Sequence, residues 1–257
     1  MGGTYKAGDQ VLLVDRKRRR YLVTLQPGAE FHSHTGAVAH DDIIGCENGA
    51  AVKSNRGSVF DTFRPTLAEF VLKMPRGAQV IYPKDLGPIL MLADVHPGVR
   101  VFESGVGSGA LSMALLRAGA QVTGYEIRED FAARARTNVA TMLGEDALGD
   151  YQVQIRDAYG GIDETNLDRV ILDLPEPWQV VPHAARALYS GGIILAYTPS
   201  VLQAARFREA LDEYGFGLAE TVEVLHRTWH IDGEAVRPDH RMVAHTGFVS
   251  HARLLGS

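Results

Sequence analysis

The stretch VRVFESGVGSGALSMALLRAGAQVTGYEIRED, residues 99–130, decides the fold, because it reads as strand, glycine turn, helix and strand in immediate succession. The apolar run from Val99 to Phe102 stops at Glu103. Gly105, Gly107 and Gly109 follow within six residues, and a helical pattern opens at Ala110. Only a backbone without Cβ turns that sharply and comes that close to a ligand, and the helix start behind it offers unpaired N–H groups. A second strand, Gln121 to Tyr125, ends in Glu126, 21 residues beyond Gly105. At that spacing a carboxylate accepts hydrogen bonds from ribose hydroxyls. The stretch therefore predicts a cofactor that contains adenosine.

The turn alone does not choose among such cofactors, since Gly105, Gly107 and Ala110 also satisfy the spacing of a nicotinamide-dinucleotide site. Further acidic residues punctuate later strand ends: Asp157 after YQVQIR, and Asp173 in RVILDLPEPW. A class I S-adenosylmethionine-dependent methyltransferase looks like this, with later carboxylates for ribose and adenine and a methionine end that carries no phosphate.

The alternation of strands and helices continues through residues 65–257. Asp85 is expected to cap a helix to about Ala93, and Asp130 another to about Leu143. Strands follow at 151–156 and 169–172, then a helix near 180–189, a Ser-Gly-Gly turn, the strand IILAYT and a helix from Ser200. This is a doubly wound α/β, Rossmann-like sheet. LAETVEVLH and TGFVSHARL suit a terminal antiparallel pair, and residues 226–246 between them are too many for a plain hairpin. Residues 1–64 differ. The short runs VLLV, RYLVTL, AAVK and SVFDTF, separated by Gly, Asn, Asp and Pro, read as a small antiparallel β domain. TLAEFVLKM carries a capping-box pattern at Thr66 and Glu69, so residues 65–84 are expected to form a bridging helix and linker.

At 257 residues, 46% hydrophobic and 22% charged, the composition is that of an ordinary soluble protein with a substantial core. Neither a membrane span nor a secretion signal is visible, so a cytoplasmic location is expected. One cysteine, Cys46, excludes an intramolecular disulfide framework. His32 and His34 in FHSHTG lack a third ligand, so no metal site is expected. The net charge of −5 is unevenly spread, +4 over residues 1–84 and −9 over residues 85–257. Contact with a polyanion should therefore lean on the front third, where Arg16, Lys17, Arg18, Arg19 and Arg20 form a basic run.

Along nearly its whole length the sequence resembles the bacterial tRNA adenosine-58 N1-methyltransferases, especially those of actinobacterial type. The similar stretches are FHSHTG, RPTLAEFVLKMPRGAQVIYPKD, ESGVGSGAL, DLPEPW, AVRPDHRM and HTGFV. The resemblance implies a class I methyltransferase domain behind an amino-terminal β domain, S-adenosylmethionine as cofactor, tRNA as partner and a homotetramer. Carried onto this chain, it implies that Gly105, Val106, Gly107, Ser108, Gly109, Ala110 and Leu111 line the methionine end. Glu126 would bind the ribose, Phe131 would sit beside the nucleoside, and Asp157 with Ala158 would meet the adenine of the cofactor. Asp173 is then the carboxylate of the target-base pocket.

The chemistry supplies its own reasons for these roles. Adenine N1 attacks a sulfonium methyl in line, so the protein mainly supplies position and charge stabilisation. A carboxylate at Asp173, bonded to the exocyclic amine, either favours the positive charge that develops on the ring or accepts a proton from it. Because N1 faces the pairing partner of the base, the target must be unpaired and turned out, with Tyr82 and Trp178 as candidate stacking surfaces. Arg76 and Lys84 are expected near the pocket mouth. A methyltransferase of another substrate and a non-catalytic tRNA-binding subunit are the competing readings. The presence of both the glycine turn and Asp173 speaks against the second.

Overall fold

The computed structural model describes residues 3–77 and 79–256. Two compact units, Met1–Met74 and Pro75–Ser257, divide the chain.

In the first unit β1 (Gln10–Asp15) and β2 (Arg20–Thr24) form one hairpin, β3 (Glu30–Ser33) and β4 (Gly36–Ala39) a second, and β5 (Ala51–Lys53) and β6 (Val59–Phe63) a third. β1 also pairs with β6, giving a four-stranded sheet in the order β2-β1-β6-β5. The period-2 pattern of these strands puts their apolar residues inside: Val11, Leu13, Val52 and Phe60 pack with Tyr5, Leu25, Val38 and Ile43. Tyr21, Phe31 and Phe60 add a ring cluster with centroids 5.1–6.5 Å apart. Helix α1 (Leu67–Lys73) opens with the capping box expected of its sequence. The Glu69 N–H donates to Thr66 Oγ1 at 3.2 Å, and the Thr66 N–H donates to Glu69 Oε2 at 3.0 Å. An Arg20–Glu69 ion pair at 3.3 Å ties α1 to β2, so this helix counts with the first unit and the division falls after Met74 rather than after residue 64.

The second unit runs α2 (Pro83–Leu92), β7 (Arg100–Ser104), α3 (Ala110–Arg117), β8 (Gln121–Glu126), α4 (Glu129–Leu143), β9 (Tyr151–Ile155) and β10 (Leu167–Leu172). It continues α5 (Val181–Ala187), β11 (Leu188–Thr198), α6 (Val201–Glu213), β12 (Phe216–Glu223), β13 (Trp229–Asp232), β14 (Ala235–Pro238) and β15 (Phe248–Leu254). Seven strands form one sheet in the order β12-β15-β11-β10-β7-β8-β9. The five strands β7 to β11 are mutually parallel, and β15 runs antiparallel to both β11 and β12. β10 and the second half of β11 are almost wholly buried, as strands covered on both faces must be. The chain winds one way from β7 through β8 to β9 and the other way from β10 to β11. In open sheets a ligand binds at the carboxyl ends of the strands beside such a reversal. Residues 103–109, 126 and 173 all lie at that edge.

Three local features differ from what the sequence predicts. Asp85 does not cap α2: Tyr82 is the N-cap, Pro83 takes the first helical position where its missing N–H costs nothing, and Asp85 is fully buried inside the first turn. Asp130 lies inside α4 beside the N-cap Arg128, to which it is ion-paired at 2.8 Å. The Ser190-Gly191-Gly192 segment belongs to β11, where Gly191 at φ 81° accommodates the register shift against β10. Residues 229–238 fold as the separate β13–β14 hairpin, with Trp229, Ile231 and Val236 exposed.

Candidate active site

The glycine turn is left-handed at all three glycines, with φ of 87° at Gly105, 53° at Gly107 and 82° at Gly109. Gly105 is the most constrained. A Cβ there would lie 2.0 Å from the backbone oxygen of Asp173, whose own N–H donates to the Ser104 carbonyl at 2.9 Å. The ends of β7 and β10 close on each other only because residue 105 has no side chain. Gly109 is the N-cap of α3 and packs on Ala135 of α4 rather than on the ligand side.

In front of the turn lies a cavity of about 520 Å³, bordered by Gly105, Val106, Gly107, Ser108, Ala110, Leu111, Glu126, Phe131 and Asp173. Two backbone donors hold the Glu126 carboxylate, Gly107 N–H on Oε2 and Arg128 N–H on Oε1, each at 3.0 Å. Arg128 in turn stacks over the Phe131 ring, its guanidinium carbon 3.8 Å from the centroid. Asp157 and Ala158 follow β9 at the same edge of the sheet but do not border this cavity. Asp157 accepts the Tyr159 N–H at 2.9 Å as the cap of a short helical turn, and Ala158 packs into the core. Glu103, the first strand-end carboxylate, is fully buried. Burial pushes its carboxyl up to about 8 against the Ser112 hydroxyl that donates to it at 2.7 Å, so it stands neutral behind the turn.

A second cavity of about 470 Å³ adjoins the first and shares Asp173 with it, together with Gln79, Val80, Ile81 and Pro199. Its other walls are Tyr82, Tyr197, Val243, His245 and Thr246. Burial alone, with no cation at hand, pushes the Asp173 carboxyl up to about 7. Asp85 is buried alongside and accepts from Thr246 Oγ1 at 2.7 Å and Lys84 Nζ at 2.8 Å, with the Tyr197 hydroxyl at 3.5 Å. The Tyr197 phenol, raised to about 12 by burial, stays neutral. Both ring nitrogens of His245 face acceptors, the Pro199 carbonyl at 3.0 Å and Glu223 Oε1 at 2.7 Å. These acceptors favour the imidazolium and raise its pKa.

Residues 61–246 match the family described as the tRNA methyltransferase complex GCD14 subunit, and residues 3–52 match the TrmI-like N-terminal family. The chain belongs to the GCD14 family. It is 36% identical over 242 residues to the tRNA (adenine(58)-N(1))-methyltransferase TrmI of Thermus thermophilus, covering 93% of this chain and 94% of that one. It is also 36% identical over 270 residues to the tRNA (adenine(57)-N(1)/adenine(58)-N(1))-methyltransferase TrmI of Methanocaldococcus jannaschii, covering 95% and 94%. Among solved structures, the tRNA (m1A58) methyltransferase TrmI of Aquifex aeolicus superposes with a TM-score of 0.87 at 28% identity over 99% of this chain and 100% of that one. A SAM-dependent O-methyltransferase of Thermotoga maritima superposes with 0.94 at 32% identity over 99% and 96%. The fold is thus that of a class I S-adenosylmethionine-dependent methyltransferase, and the GCD14 family is a family of enzymes.

The GCD14-family site draws residues together that sequence spacing does not connect. No spacing pattern marks Tyr197, Val243, His245 and Thr246: HTGFV is a matching stretch, but its role depends on β15 lying beside β11. Of the residues expected to meet RNA, Tyr82 borders the second cavity and Arg76 is exposed. Lys84 is a correction. Its side chain is 5% exposed and its ammonium is spent on Asp85 and on the Val224 carbonyl at 2.6 Å, since a buried carboxylate demands a buried cation. Trp178 borders neither cavity, and Arg206 covers one face of its ring at 4.2 Å. In the basic run Arg19 pairs with Asp15 at 2.6 Å and Arg20 with Glu69, while Arg16, Lys17 and Arg18 are exposed and form no ion pair among the described residues. His32 and His34 have separate neighbours, Glu30 and Arg19. No cluster of three or more His, Cys, Asp or Glu suited to a metal, and no helix long and apolar enough to cross a membrane, occurs among the described residues.

Proposed function

We propose that this protein transfers the methyl group of S-adenosylmethionine to N1 of adenosine 58 in the T loop of tRNA, giving 1-methyladenosine and S-adenosylhomocysteine. The observation that carries the reading is the single carboxylate, Asp173, set where two cavities meet. One cavity has the glycine turn and a carboxylate, Glu126, pinned by two backbone donors, which suits the ribose of a nucleoside cofactor. The other, of about 470 Å³, has an aromatic wall, Tyr82, on which a base turned out of its helix would stack. The adenine N1 lone pair attacks the methyl carbon, the carbon–sulfur bond breaks with its electron pair left on sulfur, and the positive charge passes from the sulfonium to the ring. Asp173, accepting from the exocyclic N6 amine, stabilises that ring charge and holds N1 in line. The buried network beneath the second cavity, Lys84, Asp85 and Thr246, fixes the wall against which the base rests.

An oxygen acceptor, as in the name of the Thermotoga maritima protein, would need a base to draw off the hydroxyl proton, whereas the N1 lone pair is free at neutral pH. The curated relatives named for adenine N1 favour the nitrogen. A homotetramer, implied by the family resemblance, is part of the same proposal. Native mass spectrometry should give four times 28.0 kDa. The deciding test is nucleoside mass spectrometry of a tRNA transcript incubated with the protein and labelled cofactor: 1-methyladenosine at position 58, absent when that adenosine is replaced by guanosine. Label found on ribose oxygen, or none on the tRNA, refutes the assignment.

A further inference from the structure

The amino-terminal unit holds a cavity that methyl transfer does not use. Three turns of its small sheets converge there: residues 16–19 between β1 and β2, 34–35 between β3 and β4, and 54–58 between β5 and β6. Ser54 Oγ donates to the Thr35 carbonyl at 2.8 Å and accepts the Ser58 N–H at 3.1 Å, while Asn55 and Ala37 exchange two hydrogen bonds at 2.8 and 3.0 Å. These bonds lock the second turn to the third. Arg19 reaches His34 Nε2 at 2.6 Å and joins the first turn to the second.

Between the turns lies a space of about 320 Å³ bordered by Arg16, Lys17, Arg19, Thr35 and Ser58, with Asp15 the one carboxylate among them. Asp15 does not cancel the positive field. It is 8% exposed and organises the basic turn, its carboxylate accepting the Lys17 N–H at 2.8 Å, the Arg19 N–H at 3.0 Å and Arg19 Nε at 2.6 Å. One cation is thereby spent, and Arg16, Lys17 and the neighbouring Arg18 remain exposed. Arg18 sits at φ 61°, a left-handed conformation in which glycine would be at ease and an arginine is strained.

We propose that this three-turn cavity is a phosphate-binding site that takes one phosphodiester of the tRNA backbone, a proposal that rests on tRNA being the substrate. Arg16 and Lys17 supply the charge and the Ser58 hydroxyl is the hydrogen-bond donor, the Thr35 hydroxyl being paired with Ser33 Oγ at 3.0 Å. The site belongs to the third of the chain that carries +4, while residues 85–257 carry −9.

The test is binding of the full-length protein to a tRNA transcript, followed by fluorescence anisotropy over a salt series, in three variants. Arg16→Ala/Lys17→Ala should weaken binding at least about tenfold near 0.1 M salt and lower the slope of log affinity against log salt by about one, as expected for one lost phosphate contact. Ser58→Phe keeps every cation but fills the cavity, and should weaken binding comparably. Arg18→Gly should melt no lower than the parent yet bind less tightly at low salt. Affinity for S-adenosylmethionine should be unchanged in all three. Full affinity in Ser58→Phe alongside a loss in the double alanine variant would mean a diffuse basic field and would overturn the site. Inorganic phosphate, added at constant ionic strength, should compete with tRNA in the parent; phosphate that binds the parent but not the double alanine variant, and displaces no tRNA, would assign the cavity to free phosphate and overturn the RNA proposal. A parent that binds no tRNA refutes the substrate reading, whereas equal tRNA binding by parent and variants refutes this site alone.

Discussion

Replacing Asp173 with asparagine keeps the shape of the side chain and removes its charge, and the consequence for stability has a sign opposite to that for activity. Burial raises this carboxyl from 3.8 to about 7. The folded state therefore holds a proton that the unfolded chain releases near pH 4, and the stability tied to that proton is present below pH 4 and lost as pH rises toward 7. At 1.36 kcal/mol per pH unit the full loss is about 4 kcal/mol, and because both cavities open to solvent about 2 kcal/mol is the working expectation. The Asp173→Asn variant escapes this penalty. It should match the parent near pH 4, gain steadily to about pH 7, and above pH 8 melt about 4–8 °C higher, at roughly 2–4 °C per kcal/mol for a chain of this size. Thermal unfolding between pH 4 and 8.5 provides the measurement. The same variant should slow single-turnover methylation at least about a hundredfold. In the parent the rate should fall as pH drops and the carboxylate takes up its proton, with a midpoint below 7 once a sulfonium sits beside it. A variant no more stable than the parent at pH 8, or more stable by the same amount at every pH, would refute the burial argument. Near-normal turnover would make Asp173 structural.

Other substitutions probe other links of the chain. Glu126→Ala should weaken S-adenosylmethionine binding by roughly 1.5–3 kcal/mol in calorimetry, since a charged acceptor is lost and the Gly107 and Arg128 N–H groups are left unheld; unchanged affinity would remove Glu126 from the site. Gly105→Ala places a methyl 2.0 Å from the Asp173 backbone oxygen, so it should cost at least about 2 kcal/mol in denaturant titration and abolish both cofactor binding and methylation. Intact cofactor binding in that variant would show that the β7 and β10 ends need not close. Thr66→Ala deletes half of the α1 capping box and should cost about 1 kcal/mol with cofactor affinity untouched; an unshifted denaturation midpoint would mean the cap is redundant.

Local chemistry written in consecutive residues was legible in the sequence. The glycine turn, the carboxylate at the end of β8, the Thr66–Glu69 capping box and the alternation that makes a doubly wound sheet are each set by neighbours within about 20 positions, where hydrogen bonding and backbone freedom act without help from the rest of the chain. Helix starts were read less well. Asp85 has the side chain of a cap, but the chain gains more by burying it against Lys84 and Thr246, partners 1 and 161 positions away. That burial took Lys84 out of the set of cations able to meet RNA, and no pattern along the sequence signals it. The second cavity depended on tertiary structure for the same reason: Tyr82, Asp173, Tyr197 and His245 meet only because β15 is inserted antiparallel between β11 and β12 and carries residues 245–246 to the edge where β10 ends. Sequence by itself determined the glycine turn and the strand-end carboxylate that we propose bind the cofactor. Tertiary structure decided which carboxylate is left at the meeting of two cavities, because desolvation and partner choice are properties of the packed interior.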